Sequence, residues 1–398
     1  MSHSQEAGER ISAFRKRRQL TQHGLAARAN VSYSLLTKVE SGSRPASDAF
    51  VAACARAMGV EIAAIIGDTG ADSTRDERLG GLLAQVQTQL DLFDLDPDET
   101  IRPRSPVVLR EAVRQMNQVA QAAKYEPTAT VLPSLFAELQ TAAHLWTGSR
   151  QAAAWGLLAE AYRCAHTVGI ATGYPDMSLV ALSRMDWAAR RAGDRAPGLR
   201  AAREYLRVTA YLRKQDYDTC WSLNAAGRAH LEGTDQHTPG SLIAGGQLNL
   251  GAAVLSARVG DASATRDYLD EARHHARLTG EDLETFWFGF GPTNVAVHRV
   301  MTLIELGDYS HAIRLGETIE FPAEWLPTRI GHHHFDMARA YQRMSMPDEA
   351  VRHLQLARQS APGQARRHPS VRSVVTDLLR MERHPSGALT RYAGWIGM

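Results

Sequence analysis

The sequence predicts an all-α protein in two parts: five short helices, then a long array of helical hairpins. Three observations carry that prediction. Apolar residues recur at helical spacing almost throughout, and no stretch alternates as a half-buried strand would. Gly193-Asp194, Gly260-Asp261 and Gly307-Asp308 each follow one helical stretch and precede another, as a helix stop and a fresh start should. A small, polar segment without periodicity, Gly67 to Thr74, separates the parts and reads as a linker over residues 68–78.

Composition narrows the function classes. The 398 residues, 44% hydrophobic and 22% charged, suit a soluble protein of two or more domains. No run of 18 apolar residues occurs, and Met1 to Glu9 is polar with no signal-like core. A cytoplasmic protein without a membrane partner is therefore expected. Cys54, Cys164 and Cys220 are odd in number and widely spaced, which fits buried, inert thiols better than disulfides or zinc ligands. The net charge is +2, but residues 1–70 hold nine Lys or Arg against six acids, four of the basic residues lying in Arg15–Arg18. That bias alone does not establish nucleic-acid binding.

The strongest pattern runs from Arg10 to Ile66. Ile11, Phe14, Arg15 and Arg18 share one face of a first helix. Thr21 can cap a very short second helix over 22–28, where Leu25 and the small Ala26 suit a close crossing. Asn30 sits where the next turn needs a left-handed residue. Ser32 caps the third helix, with Leu36 and Val39 turned inward, while Leu35 faces out, either to cap the core edge or to touch a thymine methyl. Tyr33, Ser34, Thr37 and Lys38 face out, and Gly42 ends the helix. Arg15, on the inward face, needs an acid.

This order of residues resembles the lambda-repressor/Cro-like helix-turn-helix family, the xenobiotic-response-element type. The resemblance implies a five-helix DNA-binding domain over residues 1–67, with double-stranded DNA as partner and the third helix in the major groove. It gives Tyr33, Ser34 and Lys38 base-reading positions, with Thr37 beside them. Gln22 takes a phosphate-contacting position, and Ser41, Ser43 and Arg44 lie where the following loop meets the DNA backbone. It also makes Glu40 the acid that pairs with Arg15. Two departures stand out. Tyr33 replaces a glutamine that often reads adenine, so the preferred operator does not transfer. Arg44 and Pro45 are adjacent, where the family commonly has one residue between them.

The second part, residues 79–398, reads as helices over 79–93, 105–123, 128–147, 151–168, 175–192, 196–213, 217–231, 241–258, 262–278, 292–306, 309–319, 329–344, 347–360 and 369–382. In 331–362, Met337, Ala338, Tyr341, Ala350, Leu354, Ala357 and Pro362 fall in a 34-residue frame that resembles the tetratricopeptide (TPR) repeat. Trp155, Leu158, Ala159 and Tyr162 reproduce its first-helix pattern, and 292–319 keeps Gly307, Tyr309 and Ala312. A TPR-like α-solenoid is expected, or else a generic array of helical pairs.

No catalytic pattern is present: no Gly-rich phosphate loop with lysine, no metalloprotease helix, no nucleophile elbow. A non-enzyme without cofactor or metal is expected. Three adjacent histidines, His332 to His334, point about 100° apart on a helix and cannot converge on one ion, so they read as a polar helix start. The aromatic–glycine run Phe286 to Asn294 reads either as core plugs or as the wall of a ligand pocket. The whole chain resembles actinobacterial regulators that join this helix-turn-helix to a TPR-like array. More distantly it resembles the peptide-sensing regulators of Gram-positive bacteria, in which asparagines on the concave face clamp a peptide backbone. That resemblance nominates Asn224, Asn249 and Asn294, with Trp287 and Phe290, for a small-molecule or peptide ligand. The expected function is a homodimeric, sequence-specific transcription regulator whose array senses a ligand or supplies the dimer contact. The alternative is an interaction adaptor with a vestigial DNA-binding domain.

Overall fold

The computed structural model describes residues 3–66, 69–98, 100–381 and 385–398, without the side chains of 3–5 and 69–76. Among these residues the chain is all-α, and its one β feature is an isolated bridge between Asp282 and Phe290. Among the described residues no helix is long and apolar enough to cross a membrane.

The first five helices are α1 (His3–Arg17), α2 (Gln22–Ala29), α3 (Tyr33–Glu40), α4 (Asp48–Met58) and α5 (Ile62–Ile66). Local chemistry sets their ends. Thr21 accepts from Gly24 N at 2.9 Å, and Ser32 from Leu35 N at 3.2 Å, so each hydroxyl satisfies one of the amides a helix start leaves open. Asn30 closes α2 in the left-handed region at φ 54°. Ile11, Leu25, Leu36 and Ile65 are fully buried between these helices, and Leu35 packs at their edge. Arg18 does not join Ile11 inside: it lies beyond the last turn of α1, exposed, with its guanidinium donating to Gly59 O.

The array follows as α6 (Thr69–Asp91), α7 (Pro106–Gln121), α8 (Tyr125–Leu145), α9 (Gly148–Thr172), α10 (Pro175–Ala189), α11 (Ala196–Leu212), α12 (Tyr217–Ala229), α13 (Pro239–Arg258) and α14 (Ala262–Thr279). It continues with α15 (Pro292–Glu305), α16 (Tyr309–Gly316), α17 (Pro327–Arg343), α18 (Pro347–Ser360), α19 (Pro362–Arg367), α20 (Pro369–Met381) and α21 (Gly387–Trp395). Many start with proline, whose missing N–H costs nothing in a first turn. Neighbours in sequence pack as pairs: α9 with α10, α11 with α12, α13 with α14, α17 with α18. Between α17 and α18, Met337, Ala338, Ala350, Leu354 and Ala357 are all fully buried, because small side chains let the two helices close up.

Three expectations need correction. The segment read as a linker is helical from Thr69 onward, while Gly67 and Asp68 lie outside the described residues. Its polar composition hid a helix whose apolar seam, Leu79, Leu83, Val86 and Leu90, starts ten residues later. Short helices α19 and α21 had not been expected. His332–His334 are no solvated helix start. His333 is buried, and His334 Nδ1 meets His353 Nδ1 at 3.1 Å, because α18 covers this face of α17. Among the described residues no group of three or more His, Cys, Asp or Glu is arranged to hold a metal ion.

The array curls until its two ends meet. Gln121 on α7 donates to Trp287 O at 3.0 Å and accepts from Thr328 Oγ1 at 2.5 Å, and α19 touches α9. Beyond that point the chain folds back onto the first domain. Helix α21 packs on α4 and α5, Ala63 N donates to Met398 O at 2.7 Å, and Arg391 pairs with Asp48 at 2.6 Å. One apolar core therefore runs from Leu36 and Phe50 through Val375 to Ile396. Gly394 makes the approach possible: a Cβ there would stand 2.8 Å from Ile66 Cδ1. Gly394→Val is expected to cost about 1–3 kcal/mol by overpacking and to speed amide exchange in α4 and α5. Arg391→Ala, at an exposed ion pair, should cost less than about 1 kcal/mol. Denaturation and hydrogen exchange on both variants check this. Unchanged exchange in Gly394→Val would mean that α21 does not rest on α5.

Candidate nucleic-acid interface

Helices α2 and α3 meet at the Asn30 turn and present one continuous exposed face. Tyr33 is 42% exposed, Ser34 and Lys38 are exposed, and Thr37 is half-buried beside them. Behind this face Leu36 and Val39 anchor α3 in the core, so the exposed residues stand on a fixed helix. Thr37 Oγ1 donates back to Tyr33 O and Ser34 O at 3.2 and 3.1 Å, which leaves its oxygen as an acceptor. In the loop, Ser41 Oγ and Ser43 Oγ lie 2.8 Å apart, Arg44 N donates to Lys38 O, and the Arg44 side chain is exposed.

Sequence reading missed His23. Its ring stacks on Tyr33 with centroids 3.9 Å apart and planes 3° from parallel. The stack ties the first residue of α3 to the first turn of α2 and holds the phenol in one orientation. The only sequence signal was an aromatic side chain early in each of two adjoining helices.

Arg15 and Glu40 meet beneath this face. Arg15 Nε donates to Glu40 Oε1 at 2.7 Å and its Nη2 to Oε2 at 2.9 Å, with side chains only 11% and 4% exposed. Gln22 joins them by donating to Glu40 Oε2 at 2.9 Å. Burial opposes the Glu40 charge, yet the hydrogen bonds from Arg15 and Gln22 prevail and hold its pKa below the usual carboxylate value. Gln22 is thus a structural link at the start of α2, with one amide hydrogen left over.

Elsewhere the expected ligand residues are largely spent inside the array. Asn224 donates to Leu248 O at 2.8 Å, Arg228 bridges Asn224 Oδ1 and Asn249 Oδ1, and all three amides of Asn224, Asn249 and Asn294 are buried. Asn294 donates to Gln247 Oε1 at 3.1 Å. Phe290 is fully buried against Gly246, where a Cβ would come within 2.1 Å of its ring. None of these four residues is in the lining of the cavity beside Trp287. Helix packing engages part of each amide, while Asn294 Oδ1 is buried without a hydrogen-bond partner.

Trp287 is different. With Phe286 it walls a cavity of about 940 Å³ bounded by α7, α9, α11 and α13, whose lining includes Arg110, Leu157, Glu160 and Gly198. Phe286 and Trp287 both hold left-handed backbone angles, φ 53° and 56°, a strain of roughly 1–3 kcal/mol each. Asp282 keeps the loop in place by accepting from Thr285 N at 2.6 Å and donating its own N–H to Phe290 O at 2.8 Å. Trp287 Nε1 is buried with no hydrogen-bond partner. The thiols of Cys54, Cys164 and Cys220 are free and buried, and desolvation pushes them up to about 12, 12 and 11.

Residues 6–64 match a family model described as a helix-turn-helix domain. Over 61 residues, 15% of this chain, the sequence is 43% identical to the immunity repressor protein of Bacillus phage phi105, and the match spans 42% of that repressor. No solved structure matches the chain. The N-terminal domain is therefore helix-turn-helix and repressor-like.

Proposed function

We propose that the chain is a sequence-specific DNA-binding transcription regulator that reads duplex DNA with α3. The observation that carries this reading is the exposed set Tyr33, Ser34 and Lys38 on a helix capped by Ser32 and anchored by Leu36, with Arg44 exposed in the loop beyond. That geometry suits an α3 lying in the major groove, its first residues against base edges and the loop 41–44 against phosphates. The remaining Gln22 amide hydrogen serves a phosphate as well.

Selection from random duplexes with the full chain tests the reading. One enriched motif is expected, with affinity falling steeply as salt rises because phosphate contacts release counterions. Arg44→Ala should weaken all sequences about equally, since phosphates carry no sequence information. A flat selection would leave the array as an interaction adaptor and the first domain vestigial.

The finer reading concerns the array. With α2–α3 reserved for DNA and α4–α5 covered by α21, the first domain keeps little surface for self-association, so a TPR-like array supplies the homodimer contact. Its ligand, a small molecule or peptide, occupies the cavity beside Trp287, where an unpartnered indole N–H and apolar walls meet charged groups. Because the same chain closes over α4 and α5, a ligand favouring one curvature of the array shifts the placement of two α3 helices.

A further inference from the structure

A single basic neighbourhood lies where the curled array closes. Arg163 and His166 on α9, Arg213 after α11, His298 on α15, Arg329 and His332 on α17, and His368 after α19 share it. The Arg329 charge acts on Arg163, His298 and His332, and that of Arg213 on His166, His332 and His368, which sets the groups in one electrostatic neighbourhood. The rings of His332 and His368 are 4.9 Å apart and perpendicular.

This cluster lacks acids. Arg163 is 3% exposed, yet its guanidinium has only neutral side-chain partners, Asn117 Oδ1 and Thr167 Oγ1, and its Nε has none. Arg163, Arg213 and Arg329 form no ion pair among the described residues, and the side chains of Arg213 and Arg329 make no hydrogen bond there. The one carboxylate that acts on Arg163 among the described residues, Glu160, is committed to Arg195. His166 and His298 are buried and engaged through Nδ1, to Ser178 Oγ at 2.7 Å and to Asn294 O at 2.8 Å. His368 Nδ1 is buried without a partner.

Arg213 keeps exposed surface, and desolvation by the surrounding protein lowers its pKa. Desolvation and the surrounding positive charges hold His166, His298 and His368 at about 3. The imidazoles are therefore neutral near pH 7, and the positive charge resides on three arginines. A buried cation without a counterion is costly, whereas guanidinium forks suit carboxylate or phosphate oxygens.

We propose that this cluster is a binding site for an anionic small molecule, held by Arg163, Arg213 and Arg329 with His332 and His368 beside them. The phosphate and carboxylate classes share the chemistry, and the test separates them. Full-length protein is titrated with inorganic phosphate and, separately, with citrate, at constant ionic strength against chloride, following heat release and the unfolding midpoint. Saturable binding of at least one probe is expected, with stabilisation that grows as the logarithm of concentration above Kd. Phosphate alone marks a phosphoryl ligand, and citrate alone a carboxylate.

Arg213→Gln and Arg329→Gln should each weaken the bound probe about tenfold or more through loss of a charge-assisted contact. Arg110→Gln, in the other cavity, should leave it unchanged. Without anion, Arg329→Gln should raise the unfolding midpoint, since it relieves repulsion that no acid offsets. No saturable binding of either probe, or binding that survives the Arg213→Gln/Arg329→Gln double variant, overturns the proposal. An Arg329→Gln protein less stable than wild type without anion does so too, because it would reveal a compensating partner.

Discussion

Glu40→Ala is expected to destabilise the N-terminal domain by about 3–5 kcal/mol, the usual cost of removing one member of a buried ion pair. Arg15 would then stay 11% exposed with its two charge-assisted bonds gone, keeping only its contact to Leu20 O at 2.9 Å. Gln22 would lose its acceptor as well. Arg15→Ala should cost a similar amount by stranding the Glu40 carboxylate. The double variant Arg15→Met/Glu40→Leu should recover most of the loss, since apolar replacement removes both desolvation penalties. The pH dependence follows from the lowered pKa of Glu40. The unfolded carboxyl titrates near its ordinary value, so the pair's stabilisation is present above that pH and disappears as pH falls through the lower folded pKa. Glu40→Gln should flatten this acid limb. Single variants costing under about 1 kcal/mol would place the pair with surface ion pairs instead.

What could be read from the residues divides along sequence distance. The Thr21 and Ser32 caps and the left-handed Asn30 are local devices, each set by a few neighbouring residues, and they were legible. The outward set on α3 followed from helical period alone. Long-range closure left no such trace. Arg391 meets Asp48 across 343 residues, and Gly394 reads as an ordinary weak helix residue until Ile66 is placed against it. The histidines 332–334 look polar in sequence, yet packing of α18 and the curl of the array bury His333 and half-bury its two neighbours. Asn224 and Asn294 were nominated by residue type, which does not tell a buried amide bonded to neighbouring helices from one facing a ligand; Asn224 donates to Leu248 O, whereas Asn294 Oδ1 is buried without a partner. The basic cluster of Arg163, Arg213 and Arg329 was invisible because these residues lie on α9, after α11 and on α17, far apart in the chain.

The specificity of α3 should depend on a residue that touches no base in the simplest docking. Lys38→Ala is expected to relax preference at one base pair by about 1–3 kcal/mol, roughly 5- to 150-fold in affinity for the best site, if its ammonium meets guanine acceptors. Tyr33→Ala should relax a neighbouring pair through lost apolar contact, while Tyr33→Phe should retain most of it. The 3.9 Å stack then makes a sharper demand. A free tyrosine samples several rotamers, and fixing one on DNA costs side-chain entropy that His23 has already removed by holding the ring. His23→Ala should therefore loosen the same base pair as Tyr33→Ala, by a smaller factor, with the domain's unfolding midpoint nearly unchanged because both rings lie at the surface. Selected-site motifs for the four variants, compared with wild type, decide the matter. If His23→Ala weakens every sequence equally, the imidazole acts on the phosphate backbone. If it changes nothing, the stack does not orient Tyr33.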